Sequence, residues 1–196
     1  MRADARQNYD DLLAVAREVF TEQGADASLR DIARRAGVGL GTLYRHFPTR
    51  EALLETLLRE SFYALVARAE ELKTTNDPDD ALVSWMQETI AFTHSHRGVI
   101  APMVAAIDDP SSALHASCVT LRTAGAELLA RAQADGKARS DIDGTDLFAL
   151  IAALAWLREQ PSHARRADHL LSVIVSSVLG NRSRAGESRS RTSKKK

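Results

Sequence analysis

The sequence predicts an all-α fold, and three observations carry that prediction. Apolar residues recur at helical spacing over most of the 196 residues, stretches alternating with the two-residue period of a strand are few, and breaks rich in Gly, Pro and Asp cut the chain into helix-sized segments. The densest segment is SLRDIARRAGVGLGTLYRHFPTR, residues 28–50. It reads as a helix, a tight glycine turn and a second short helix.

The first helix is expected over residues 8–23, with Leu12, Leu13, Ala16, Val19 and Phe20 on its buried face and Gly24 at its end. Ser28 is suited to cap the second, because its hydroxyl can accept a backbone N–H, and Asp31 stands three residues on as a capping-box-like partner. Leu29, Ile32, Ala33 and Ala36 form one apolar stripe, with Arg30, Arg34 and Arg35 off it. Gly37 stops the helix, since glycine enters the left-handed conformation without a Cβ clash, and Val38 plugs the turn. In the third helix, 40–47, Leu43 and Phe47 face inward, Thr42, Arg45 and His46 outward, and Tyr44 lies near the boundary. Gly39 and Gly41 each cost about 1 kcal/mol relative to Ala in a helix. Such a cost points to close approach of the backbone to a partner, or else to a relaxed turn. Pro48 breaks this helix and Thr49 caps the fourth, which runs to about residue 73 on Leu54, Leu57, Leu58, Leu65 and Val66.

Further helices are expected over 81–94, 99–107, 112–134, 146–158 and 163–179, separated at Gly98, Asp108-Asp109-Pro110, Gly136 to Gly144 and Gln160-Pro161. The last two carry LFALIAALAWL and LLSVIVSSVL, apolar nearly all round. A helix without a polar face is buried on several sides, which in a chain of this size argues for a partner chain.

A helix-turn-helix places its second helix in the major groove of DNA. The residues also carry a resemblance. The segment AGVGLGTLYRHFPTREALL resembles the DNA-binding core of the TetR (tetracycline repressor) family of bacterial transcriptional regulators, and LLAVAREVFTEQG resembles that family's first helix. The resemblance covers about residues 8–56. Gly39 departs from it, standing where the family often has a capping Ser or Thr. The resemblance implies an N-terminal three-helix DNA-binding domain (1–50), a C-terminal helical ligand-binding and dimerisation bundle (51–179), and, beyond the family pattern, a basic tail at 180–196. The function it implies is a ligand-responsive, dimeric regulator, a repressor released from its operator by a small molecule. The alternative is a helical small-molecule-binding or interaction protein that no longer binds DNA.

Composition narrows the classes. The formal net charge of +0 hides an asymmetry. Arg30, Arg34, Arg35, Arg45 and Arg50 face only Asp31 within 28–50, and Arg182, Arg184, Arg189, Arg191, Lys194, Lys195 and Lys196 face only Glu187 in the tail. Basic clusters on an otherwise acidic chain orient it toward nucleic acid. The tail has too little apolar surface to fold and is expected to be disordered, adding salt-sensitive DNA affinity or solubility alone. A single cysteine, Cys118, excludes an intrachain disulfide and favours a cytoplasmic setting. No apolar run approaches the ~20 residues of a membrane span, and no signal-peptide core stands at the N-terminus. Enzyme signatures are missing: no Glu-x-x-His pair, Gly-x-Ser-x-Gly, Cys-x-x-Cys or phosphate-binding glycine loop occurs, so no cofactor is expected. His94 and His96 are two apart and point away from each other on a helix, so no metal site is expected.

The expected DNA-contacting residues are Ser28, Arg30, Leu40, Gly41, Thr42, Tyr44, Arg45, His46, Thr49 and Arg50. Tyr44, His46 and Arg50 would clamp phosphates, with the N–H groups above Thr49 beside them. Leu40 and Thr42 suit thymine methyls and base edges, and Arg30 and Arg45 can reach guanine O6 and N7. A dimer would then read a near-palindromic operator with half-sites about one helical turn apart, or a multiple of it. By the resemblance, the effector pocket lies in the bundle, with Phe62, Trp85, Met86, Thr89, Phe92, Met103 and Cys118 as lining candidates. The two-fold interface would use Leu147, Leu150, Ile151, Leu154, Leu170, Val173 and Ile174 of the last two helices.

Overall fold

A computed structural model describes residues 2–24, 27–75, 77–96 and 99–180. Its regular elements are all helical: α1 Arg2–Gln23, α2 Leu29–Arg35, α3 Leu40–His46, α4 Arg50–Thr75, α5 Pro78–Ser95, α6 Ile100–Ile107, α7 His115–Ala134, α8 Gly144–Glu159 and α9 Ala167–Val178. Among the described residues no helix is long and apolar enough to cross a membrane. The tail expected at 180–196 lies, beyond Gly180, outside the described residues.

Where helix ends differ from expectation, local chemistry gives the reason. α1 begins at Arg2, six residues before the expected start at residue 8, because the added turns are rich in good helix formers such as Arg, Ala and Gln. α5 starts at Pro78, three residues before the expected 81, since proline at the first helical position loses no hydrogen bond the helix needs. α8 starts at Gly144, two residues early, because Asp143 forms a reciprocal capping box with Asp146. The Asp143 carboxylate accepts from the N–H groups of Thr145 (2.7 Å) and Asp146 (3.0 Å), and Asp146 accepts from the Asp143 N–H at 3.1 Å. α9 starts late, after a 3-10 turn at Ala164–Arg166.

The chain divides into two compact units. The first comprises Met1–Val66 and Thr89–Leu121, so it holds α1 to α3, most of α4, the end of α5, α6 and the start of α7. Leu12, Ala16, Val19, Ile32, Leu43, Phe47, Leu54 and Leu58 are buried there. The second comprises Ala67–Glu88 and Arg122–Lys196. Its buried residues include Leu72, Leu82, Trp85, Leu128, Leu147, Ile151, Leu154 and Val178. Two glycines set close approaches in it. A Cβ on Gly125 of α7 would stand 2.5 Å from the Trp85 ring of α5, and one on Gly144 would stand 2.5 Å from the Ala126 Cβ.

Candidate nucleic-acid interface

The turn between α2 and α3 is built as the sequence requires. Gly37 adopts φ +67°, the N–H of Val38 donates to Ala33 O (3.0 Å) and that of Gly37 to Arg34 O (3.2 Å). This pair of bonds is a Schellman closure, which satisfies the last carbonyls of α2 and reverses the chain into α3. Ser28 Oγ accepts from the Asp31 N–H at 3.0 Å, so the expected cap forms. Its hydroxyl is thereby engaged within the chain. The reciprocal half of the box does not form, because the Asp31 carboxylate accepts from Gln23 (3.0 Å) and pairs with Arg34 and Arg35. Arg34, then Gln23, hold the Asp31 carboxyl below its usual pKa.

α3 is amphipathic across seven residues. Leu43 and Phe47 are buried, whereas Tyr44 (46% exposed), Arg45 and His46 face outward. Leu40 and Thr42 are half-buried. Arg45 lies back along its own helix, donating to Thr42 Oγ1 (2.9 Å) and Gly41 O (3.3 Å). Gly39 caps α3 with its carbonyl alone, accepting from Thr42 N (2.8 Å) and Leu43 N (3.1 Å). A Cβ on Gly41 would meet nothing within 4 Å, and neither Gly39 nor Gly41 has positive φ. Among the described residues, neither packing nor backbone conformation therefore requires these glycines.

The cations of the segment separate into groups. Arg34 pairs with Asp31, and Arg35 with Glu22 and Asp31. Arg30 is exposed and makes no ion pair with a described residue. Arg50 turns inward: its guanidinium donates to the carbonyl oxygens of Ala27 and Gly24 and sits 4.8 Å over the Phe20 ring. Arg50 therefore fastens the end of α1 to the start of α4, a role its position in the sequence did not reveal. Thr49 is exposed and caps α4, accepting from the Ala52 N–H at 3.1 Å.

One residue was missed. Tyr9 of α1 stacks on Phe47 at 5.5 Å and meets His46 edge-on at 5.6 Å, so it braces the end of α3. The signal was available, because Tyr9 extends the stripe of Leu12, Leu13 and Ala16 back by one turn.

Phe62, Thr89, Phe92, Met103 and Cys118 are buried in the first unit, with the Phe62 and Phe92 rings 5.6 Å apart. Burial pushes the Cys118 thiol up to about 12, which keeps it protonated and unreactive. Trp85 and Met86 are buried in the second unit. Among the interface candidates, Leu147, Ile151 and Leu154 are at most 2% exposed within the single chain, so they face its own core instead of a partner. Leu150, Leu170 and Ile174 are half-buried, and Val173 is 51% exposed. Trp156, not anticipated, is 54% exposed on α8.

Residues 12–57 match the family model for bacterial regulatory proteins of the tetR family, and residues 77–178 match that for the transcriptional regulator SbtR-like C-terminal domain. The HTH-type transcriptional repressor KstR2 of Mycolicibacterium smegmatis is 30% identical over 181 residues, covering 87% of this chain and 88% of that protein. The crystal structure of the TetR transcriptional regulator SCO0520 from Streptomyces coelicolor is similar at 35% identity and TM-score 0.58, covering 88% of this chain and 98% of that one. The ketosteroid transcriptional regulator KstR2 of Mycobacterium tuberculosis shares the fold at 22% identity and TM-score 0.59, over 88% of this chain and 95% of that one.

Proposed function

Because this chain belongs to the TetR family of bacterial transcriptional regulators, we propose that it is a cytoplasmic, homodimeric repressor that leaves its operator when a small molecule binds. The observation that carries the proposal is the outward face of α3, where Tyr44, Arg45 and His46 project while Leu43 and Phe47 anchor the helix. Tyr44 and His46 hold phosphates, with Thr49 at the N-terminus of α4 beside them. Leu40 and Thr42 meet thymine methyls, and Gly41 lets the backbone come close. Arg30 reads guanine, as does Arg45 once it swings off Thr42. Ser28 and Arg50 act indirectly, by holding α2 and α4 in place. Two chains pair through the apolar faces of α8 and α9, using Leu150, Leu170, Val173 and Ile174 together with Trp156. The effector opens space beside Phe62, Thr89, Phe92, Met103 and Cys118.

Selection of bound duplexes from a random pool by the purified full chain, at near-physiological salt, tests this reading. Enrichment of a near-palindrome with half-sites about one or two helical turns apart is expected. A folded, dimeric protein that enriches nothing, with and without a panel of small apolar ligands, would favour a helical binding protein without a DNA role.

A further inference from the structure

The first unit contains a preformed cavity of about 180 Å³ that none of the expected effector residues lines. Its walls are apolar: Phe20 of α1, and Leu54, Leu57 and Leu58 of α4. Val99 adds to the apolar wall, Arg17 and Thr21 of α1 and His96 just after α5 complete the lining, and no carboxylate is among the described residues that line it. Arg17 makes no ion pair with a described residue. The His96 ring lies 4.6 Å from the Phe92 ring, and its Nδ1 is 2.9 Å from Phe92 O. Because a carbonyl oxygen only accepts, that bond fixes Nδ1 as the donor.

We propose that this cavity binds a small aromatic carboxylate. A cavity of about 150 Å³ walled by aliphatic and aromatic groups holds benzene, so this one has room for a single ring and a short acidic group. The apolar walls exclude a bare inorganic anion, which would leave them in contact with water. A neutral ring, in turn, could stack on the exposed Arg17 side chain but would offer its N–H groups no acceptor. A carboxylate on an aromatic body satisfies both: the ring rests on Phe20 and the leucines, and the anion takes the charge-assisted hydrogen bonds of Arg17. The occupant also touches the ring that carries Arg50, and Arg50 is the fastening between α1 and α4.

Calorimetric titration of the full chain with sodium benzoate and, separately, with benzyl alcohol tests the site without any DNA present. Saturable binding of one benzoate per chain is expected, with benzyl alcohol about tenfold weaker. Arg17→Gln should bring benzoate down to the affinity of the alcohol. Thr21→Trp, at an exposed position that also lines the cavity, should block both compounds, while Arg59→Gln, elsewhere on α4, should change neither. Variants are compared only where the thermal melt matches that of the parent. No saturable benzoate binding, or equal binding by parent and Arg17→Gln, overturns the proposal.

Discussion

Three arginines of the helix-turn-helix segment have three different environments. Arg30 is exposed and pairs with no described residue, Arg45 lies along α3 on Thr42, and Arg50 is fastened to Ala27, Gly24 and Phe20. They predict different phenotypes. Tyr44→Ala should weaken binding to all duplexes alike, because a phosphate contact carries no base information. Arg30→Ala should cost about 1–3 kcal/mol on the selected sequence and little on others. Titration of both variants against selected and scrambled duplexes checks this, and an equal loss on both for Arg30→Ala would assign it to phosphate. Arg50→Ala should instead lower stability by about 1.5–3 kcal/mol, since two hydrogen bonds from a charged donor and a ring contact are lost, and a denaturant titration reads that directly. Spacing shows which side of a helix a residue occupies, which is why Leu43, Phe47, Arg45 and His46 were legible in the sequence. It does not show where a long side chain ends, so Arg50 was not, nor was the engagement of Ser28 and Asp31 within the chain.

At the scale of the helix, punctuation residues predicted the breaks well, and polar helix formers and caps accounted for the displaced ends. The segment around Gly37 was readable because a glycine after an amphipathic stripe has one favourable use there. Gly125 was not, because its reason lies on another helix. Buried in mid-α7, it costs about 1 kcal/mol of helix propensity relative to Ala, yet a Cβ would stand 2.5 Å from the Trp85 ring, which is 1% exposed. Gly125→Ala is therefore expected to destabilise despite its better propensity, by about 1–3 kcal/mol of overpacking offset by that gain. Unfolding measurements on Gly125→Ala, Trp85→Leu and the double variant check this. The double variant should be more stable than the sum of the two single losses predicts, and strict additivity would mean that the two positions do not meet.

For the whole molecule, the apolar character of the last two helices was plain in the sequence, but not which residues are left for a partner. Leu147, Ile151 and Leu154 are covered by their own chain, whereas Val173 and Trp156 remain half or more exposed. On the proposed pairing through α8 and α9, the parent should sediment as a dimer in dilute solution and Val173→Glu as a monomer, with high-affinity binding to the selected duplex lost as well. The central claim, that the outward face of α3 meets DNA, is tested most directly by hydrogen exchange of the full chain alone and saturated with a selected duplex. Exchange should slow over residues 40–50 while α8 and α9 keep their rates. A duplex that binds tightly and leaves residues 40–50 unchanged would contradict the account.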